Sequence, residues 1–342
     1  MANGKTANEM ESQKEWLDHG VRLYERGEYA EAAACFRRAI AFLDGRRDIE
    51  VAADAASRLG LLHCEGLGMP KDLHTALQWN RLVASWRPRC EVTRDNIAYL
   101  EELAPRPQPR PETIEEPGLG RVVIKRARTY CRVGKFRENA LEVYLPPDRP
   151  YDYVVVEAWN HILKRLRFCT LPEVLDEQVG RDYPLFQWRI ERGAGSSYGY
   201  RREGTRYTIV TPSDVRFDES ITRVQILDRG LDLMQMAAEE YLPRRLGEIS
   251  ERIGIPYASC RIKRFEKSTV GVCYCDRKEI HLACDLMKYQ PLEIDALIVH
   301  ELCHILHPNH SKKFYEAIRR YGGDEIAAAD LDWSVKLPRN EI

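Results

Sequence analysis

Apolar and small side chains in about the first hundred residues recur at intervals of three and four, the spacing of amphipathic helices. From Trp16 onward these positions are Gly20, Leu23, Gly27, Tyr29, Ala32, Phe36 and Ala39. The pattern predicts two helices joined by a short turn at residues 26–28. A similar pattern returns roughly 40 residues later, as expected of a helical repeat. Residues 93–103 are predicted to form a further helix that caps the stack.

Residues 16–39 resemble a tetratricopeptide repeat (TPR), whereas the second helix pair is similar to a Sel1-like repeat, which has a longer glycine-rich turn. The matching residues of the second pair are Arg58-Leu59-Gly60-Leu61-Leu62, Gly66-Leu67-Gly68, Lys71-Asp72, Ala76-Leu77 and Trp79. Repeats of this kind bury their apolar faces only by stacking on a neighbour. We therefore predict a TPR/Sel1-like α-helical repeat domain over residues 1–103. Two roles stay open for it: a groove for a protein partner, or a small helical appendage that only packs on its neighbour.

Residues 104–118 contain five prolines and few apolar residues. Proline removes backbone donors and favours extended conformations, so we predict a semi-rigid linker here. Beyond it, residues 119–221 are predicted to form a mixed α/β region in which no chemistry is identifiable. Segments rich in Val, Ile and aromatic residues predict strands at 121–124, 141–145, 186–190 and 206–211, and an apolar stripe predicts a helix at 152–166.

The remaining residues, 222–342, show one long helical pattern followed by shorter elements. We predict a helix over 224–252 with a kink at Pro243, then two or three strands among the segments 259–265, 270–275 and 279–283. Helices are predicted at 292–306, 312–321 and 324–330. Together with the helical N-terminal region, this mixture places the chain in the α+β class.

Charge and composition exclude several classes of protein. The chain has 52 Lys and Arg against 53 Asp and Glu, a formal net charge of −1, which gives no reason to expect nucleic acid or an anionic membrane surface as a partner. Residues 1–14 are polar, unlike a signal peptide, and no apolar run reaches the ~18 residues of a membrane span. The 10 cysteines are scattered, which is typical of reduced thiols. We therefore expect a cytoplasmic protein that neither spans a membrane nor binds nucleic acid.

The candidate chemistry lies in the segment Val299-His300-Glu301-Leu302-Cys303-His304, inside a predicted apolar helix. Residues i and i+4 of a helix share one face, so His300 and His304 can direct their imidazoles at one metal ion. Zinc binds neutral imidazole nitrogen and keeps a position for water when the protein supplies three ligands. Glu301 stands beside the first ligand, where it can take a proton from that water. The motif therefore predicts a zinc-dependent hydrolase with Glu301 as general base.

Two histidines compete for the third ligand position. His307 lies on the same helical face as His300 and His304, but three ligands along one straight helix converge poorly on a tetrahedral centre. His310 comes six residues after His304, beyond a proline at which the chain can turn back. We therefore predict His300, His304 and His310 as the metal ligands, and His307 as a residue that supports them or ends the helix.

Five segments of the C-terminal region occur in the order expected of the YgjP-like (DUF45) metal-dependent hydrolases. They are Tyr241-Leu242-Pro243-Arg244-Arg245-Leu246, Arg261-Ile262-Lys263, Glu279-Ile280-His281-Leu282, Ile298-Val299-His300-Glu301-Leu302-Cys303-His304 and Asn309-His310-Ser311-Lys312-Lys313-Phe314. The resemblance covers about residues 222–335 and implies a minimal zincin fold, in which a few-stranded sheet packs on an active-site helix with an HExxH motif. It also implies zinc ligation by His300, His304 and His310. Family members commonly carry Trp-Gly-Ser-Cys where this chain has Val270-Gly271-Val272-Cys273.

The favoured hypothesis is a zinc-dependent metallopeptidase that acts on a peptide or protein substrate, with the repeats holding substrate or partner near the site. Two alternatives stay open. A zinc-dependent nucleotide pyrophosphatase could use the same ligands, and basic residues lining the pocket, such as Arg261, Lys263 or Lys278, would favour it. A non-catalytic repeat scaffold would instead hold a structural zinc, whose fourth position is closed by protein. His281 and Tyr274 are either packed strand residues or groups near the metal.

Overall fold

The computed structural model describes residues 12–41, 48–103, 105–137, 139–166, 180–265 and 269–331. The chain divides into two compact units, one within Met1–Arg167 and Arg216–Val224, the other within Phe168–Val215 and Gln225–Ile342. Residues 1–11 and 332–342, which belong to the predicted repeat and zincin regions, lie outside the described residues. Among the helices of the described ranges, none combines the length and apolarity that crossing a membrane requires.

The first unit opens with helices that follow the predicted helical pattern. They are α1 (Gln13–Glu25), α2 (Tyr29–Ile40), α3 (Ile49–Glu65), α4 (Leu73–Trp86) and α5 (Glu91–Glu102). Ser12 caps α1, because its hydroxyl accepts from the Glu15 backbone N–H and its own N–H donates to the Glu15 carboxylate. Gly20 lets α1 approach α2, since a Cβ there would lie 2.7 Å from the Phe36 ring. The N-terminal region is helical as predicted, and its assignment to TPR or Sel1-like repeats stays a prediction.

A four-stranded sheet follows in the same unit. Its strands are β1 (Thr113–Glu116), β2 (Gly120–Arg126), β3 (Arg132–Arg137) and β4 (Ala140–Leu145), in the order β1-β2-β4-β3, and α6 (Tyr153–Leu166) packs on them. Strand β1 lies inside the segment predicted as a linker. It joins β2 in an antiparallel ladder, and Glu116 accepts hydrogen bonds of 3.1 and 2.6 Å from Arg37. Backbone pairing and a buried ion pair form this strand, so its sequence lacks an apolar alternation.

The second unit contains another four-stranded sheet. Its strands are β5 (Gly180–Asp182), β6 (Gln187–Arg192), β7 (Gly199–Glu203) and β8 (Arg206–Thr211), in the order β5-β6-β8-β7. Strands β6 and β8 correspond to predicted strands and bury Trp188, Ile190, Tyr207 and Ile209. Every residue of β7 is exposed, so this strand has no buried face for an apolar pattern to mark.

The rest of the second unit carries the histidine motif. Helix α7 (Ser220–Ile253) enters this unit at Gln225 and includes Pro243. Strands β9 (Ser259–Lys263), β10 (Gly271–Tyr274) and β11 (Glu279–Ala283) then form a sheet in the order β10-β11-β9. Helices α8 (Pro291–Leu306) and α9 (Lys312–Leu331) follow. Helix α9 is interrupted at Gly323, where φ is 83°, and this break separates the two helices predicted there.

Helix α8 is anchored at its start and along its apolar face. Pro291 occupies the first turn, and the backbone N–H of Gln290 donates to the Glu293 carboxylate at 2.8 Å. The buried apolar residues are Ile294, Ala296, Leu297, Ile298, Val299, Leu302 and Cys303. Arg245 of α7 donates two hydrogen bonds, of 2.7 and 2.5 Å, to Asp295. These contacts fix the helix on which His300 and His304 lie, and the molecule as described is a mixed α and β structure with small sheets.

Candidate metal centre

Three histidines converge at the C-terminal end of α8. His300 and His304 lie one turn apart on this helix, and His310 lies in the connection to α9. The Nε2 atom of His300 is 3.1 Å from the Nε2 atoms of both His304 and His310. Within the described residues, the ligand atoms of these three histidines lie within 4.8 Å of one another, close enough to hold a metal ion. The structure therefore brings together the three residues that the sequence motif indicates.

The opposite ring nitrogens of two of these histidines are held by acceptors. His300 Nδ1 lies 2.8 Å from Asp330 Oδ1 on α9, and His304 Nδ1 lies 3.2 Å from the backbone oxygen of His307. A carboxylate and a carbonyl only accept hydrogen bonds, so each Nδ1 is the donor and each Nε2 of a neutral ring carries the lone pair. Metal-bound histidines typically have such partners, which fix the tautomer and the ring orientation.

Phe314, in the first turn of α9, packs against all three imidazoles. Its side chain is fully buried, and its ring centroid lies 4.8 Å from that of His300, 4.4 Å from that of His304 and 4.9 Å from that of His310. The ring stacks on His304 and meets the other two rings close to edge-on. One side of the histidine group is therefore covered by an apolar surface, which holds the rings in their relative orientation.

Two of the three histidines, His304 and His310, are electrostatically suited to remain neutral. Burial, followed by the neighbouring His300, lowers the pKa of His304 to about 4. The same two causes lower the pKa of His310. Because zinc binds the neutral imidazole, a lowered pKa removes proton competition for the nitrogen at neutral pH.

The donor set fits a zinc ion. When both rings are neutral, as zinc ligands are, and both Nδ1 atoms donate, neither Nε2 of His300 nor that of His304 can donate across the 3.1 Å between them. Two lone pairs at this distance repel each other unless a cation lies between them. Zn–N distances of about 2.0–2.1 Å in a tetrahedron place ligand nitrogens about 3.3 Å apart, close to the observed 3.1 Å. Three imidazole ligands leave a fourth position for water or substrate, as catalytic zinc sites do.

Glu301 follows His300 on α8 and is turned into the protein. Its side chain is 4% exposed, and its Oε2 atom is buried without a hydrogen-bond partner. Burial raises the pKa of its carboxyl to about 7; Asp330 raises it further, whereas His300 lowers it. A carboxyl group with a pKa near neutrality can both accept and release a proton at little cost.

Other candidate residues have partners outside the triad. His307 ends α8, and its backbone carbonyl accepts from His304. His281 lies 2.7 Å from Glu279 and packs on the Tyr274 ring at 4.9 Å. Arg261 pairs with the same carboxylate at 3.0 Å. His281 and Tyr274 therefore contact each other and their sheet neighbours, as packed strand residues do.

Two residues that support the triad are not identified as such from the sequence. Asp330 and Phe314 both come from α9, and their contacts with the histidines depend on how that helix folds back over α8. Asp330 leaves one signal: it lies four residues after buried Ile326, on the same helix face, and is itself buried. A carboxylate on a buried stripe requires a partner, but its distance of 30 residues from His300 gives no indication of which one.

Comparisons with known proteins address part of the chain. No curated protein matches it, and no solved structure matches it. Residues 209–328, about a third of the chain, match the family model described as YgjP-like, metallopeptidase domain. This range contains the three histidines and Glu301, whereas Asp330 lies two residues beyond its end. The C-terminal part of the chain is thus similar to a metallopeptidase domain, which supports a hydrolase that uses a metal.

Proposed function

We propose that the C-terminal part of this chain is a zinc-dependent metallopeptidase that acts on peptide or protein substrates. His300, His304 and His310 hold the zinc ion, and Glu301 is the general base. The convergence of three Nε2 atoms carries this proposal, because two of them are oriented by Nδ1 acceptors so that lone pairs face each other at 3.1 Å. The match of residues 209–328 to a metallopeptidase domain supports it independently.

Each side chain has a defined task in this proposal. A bound zinc ion supplies a Lewis acid that lowers the pKa of a water molecule to roughly 7 and polarises the substrate carbonyl. Glu301 accepts the proton from the attacking water at its carboxylate and passes it to the leaving amine. Asp330 holds the tautomer of His300, and Phe314 covers the side of the rings that faces the protein core.

The alternatives have less support. A nucleotide pyrophosphatase needs basic groups that face the phosphates. Arg261 instead pairs with Glu279. Lys263 shares the sheet face of Arg261, which is opposite to the face that carries buried Ile280 and Leu282. Lys278 lies exposed in the turn between β10 and β11. A structural zinc would have a fourth protein ligand, whereas the cluster found among the described residues consists of three histidines.

Elemental analysis of tag-free protein tests the metal site directly. We expect about one zinc ion per chain in the wild type, loss of zinc in His310→Ala, and retention in His307→Ala, the matched control from the same segment. Hydrolysis of a quenched-fluorescence casein substrate by the zinc-loaded wild type, absent in Glu301→Gln, tests the reaction. A protein that binds no zinc even when refolded with it, or that loses zinc only in His307→Ala, would overturn the proposal.

A further inference from the structure

Strand β10 begins at a glycine that lies against the carboxylate of Glu301. A Cβ atom built on Gly271 would lie 2.5 Å from Oε1, 2.9 Å from Cδ and 3.0 Å from Cγ of Glu301. Real Cβ atoms essentially never approach other atoms more closely than 3.0 Å. The three nearest atoms all belong to this one side chain. A side chain at position 271 and Glu301 in its present position are therefore mutually exclusive.

The strand register explains why residue 271 faces the motif helix. Gly271 pairs with Leu282, and Cys273 pairs with Ile280, in the antiparallel ladder of β10 and β11. Paired residues point to the same face of a sheet, and Leu282 and Ile280 are fully buried. Gly271 thus lies on the buried face of this sheet, the face against which Glu301 packs.

Backbone conformation does not account for a glycine at this position. Gly271 is absent from the residues with positive φ, and it occupies a regular ladder position in β10. An L-residue could adopt this conformation without strain. Position 271 therefore excludes a side chain for lack of space, because the Glu301 side chain occupies the volume that a Cβ atom would need.

We propose that Gly271 is a positioning residue: by lacking a side chain, it leaves the slot in which β10 holds the carboxylate of Glu301, the residue that follows His300 on α8. The catalytic consequence rests on the proposed function, whereas the contact itself does not. A Cβ at position 271 displaces the carboxylate of Glu301. It leaves His300 in place, because Asp330 holds that ring from α9. Zinc binding and proton transfer are therefore expected to respond separately.

A double-mutant cycle on the stability of the full-length chain tests the contact without reference to activity. We expect Gly271→Ala to lower the Tm by roughly 2 °C or more, since overpacking a buried site destabilises the folded state. In the Glu301→Ala background the same substitution is expected to cost little, because the atoms it would meet are gone. Gly199→Ala, on β7, where the nearest atom lies 4.0 Å from the added Cβ, is the control. Equal losses in both backgrounds, or failure of the double variant to fold, would refute the slot.

Kinetics of the zinc-loaded variants tests the positioning role. Gly271→Ala is expected to lower kcat by roughly 100-fold, since misplacement of a catalytic group by about 1 Å has effects of that size, with KM and zinc content unchanged. Aspartate is one methylene shorter than glutamate, so in a Glu301→Asp background Gly271→Ala should cost much less. Loss of zinc in Gly271→Ala, or equal kcat losses in both backgrounds, contradicts the positioning role. If the wild type binds no zinc, the proposed function fails, but the stability cycle still decides whether the slot exists.

Discussion

Each of the two units holds a histidine–aspartate pair, and the surroundings of the two pairs differ. In the first unit His63 Nε2 lies 3.2 Å from Asp152 Oδ2, and both side chains are almost completely buried. Asp152 also accepts from Trp79 Nε1 at 3.0 Å and lies 3.5 Å from the Arg37 guanidinium. Although burial opposes it, His63 and Arg37 hold the pKa of Asp152 below its usual value. The contacts of this carboxylate therefore join α2, α3 and α4, the helices that carry Arg37, His63 and Trp79.

In the second unit the pair is His300 with Asp330, and it leaves one ring nitrogen directed at further lone pairs. His300 Nε2 faces the Nε2 atoms of His304 and His310, whereas the second ring nitrogen of His63 is buried without a partner. A histidine–aspartate pair is therefore not a site by itself. In the second pair, the Nε2 atom of the oriented imidazole lies close to the Nε2 atoms of two further imidazoles. A cation stabilises such an arrangement.

The largest expected effect concerns the group beside the second pair. Glu301→Gln preserves the shape of the side chain and removes the proton acceptor. We expect casein hydrolysis to fall by about 10³-fold or more, within the range that general bases contribute, while zinc content stays at the wild-type level. Initial rates and elemental analysis on the same preparations measure both quantities. A variant that keeps a tenth of the wild-type rate would remove Glu301 from the mechanism.

The second prediction concerns stability rather than catalysis, and it tests the His63–Asp152 pair of the first unit. Asp152→Ala removes the common partner of His63, Trp79 and Arg37, and so leaves buried donors without an acceptor. The free energy of unfolding should fall by about 3 kcal/mol, as is typical when one partner of a buried ion pair is lost. Urea denaturation measures the loss. Zinc content of the folded variant should equal that of the wild type, and zinc loss here would erase the distinction between the two pairs.

The third prediction concerns how far an aspartate tunes a metal ligand. Asp330→Asn keeps the side-chain shape but removes the charge that holds His300 Nδ1–H. Zinc affinity should weaken by about 10–100-fold, the usual effect of losing such a partner, as measured by competition with a fluorescent chelator. Asp324→Asn is the control, because this exposed residue lies on the same helix and pairs with Arg319. Equal affinities in both variants would mean that the Asp330 contact does not tune the metal.

The sequence was sufficient for the part of the site that is local. The spacing of His300 and His304 on a helix, and the proline before His310, predict a convergence that the structure contains, although the role of these residues as ligands stays a prediction. Most predicted strands and helices of residues 119–331 recur within a few residues, because they have apolar periodicity. Four strands, β1, β3, β5 and β7, were missed. Strand β1 is formed by polar pairing, and β3, β5 and β7 contain no fully buried residue whose pattern could mark them.

Contacts between residues distant in sequence could not be predicted from the sequence, for a physical reason. Asp330 meets His300 only because α9 folds back along α8, and no short-range pattern encodes that contact. Gly271 is one of 21 glycines, and its importance appears only when a Cβ is placed against Glu301. Such contacts arise from the packing of elements distant in sequence, which local periodicity does not determine.

The smallest predicted effect is a pH dependence of stability, whose sign is opposite for Glu301 in the second unit and Asp152 in the first. The pKa of Glu301 is about 7 in the fold against an ordinary 4.5, so the folded state binds this proton more tightly than the unfolded chain does. Below about pH 4.5 the group is protonated in both states and has no influence. As pH rises to about 7, the buried charge destabilises the metal-free protein, and Glu301→Gln avoids this. The full difference in pKa corresponds to about 3 kcal/mol. Relaxation of the fold around the ionised carboxylate lowers this penalty, so the variant should gain about 1–2 kcal/mol over the metal-free wild type across this interval and keep that margin above it.

The measurement is urea denaturation of both proteins after removal of zinc, at pH values from 4.5 to 8, with exposed Glu325→Gln of α9 as the control. A margin that does not change with pH would mean that Glu301 is not desolvated in the fold. Asp152 predicts the opposite behaviour, because its pKa is lowered. Its ionised form stabilises the fold above the unfolded-state pKa, and that contribution is lost as the pH falls. Stability that depends on Asp152 and stability opposed by Glu301 therefore change in opposite directions with pH, because the first carboxylate has a buried guanidinium partner, Arg37, whereas desolvation dominates at the second.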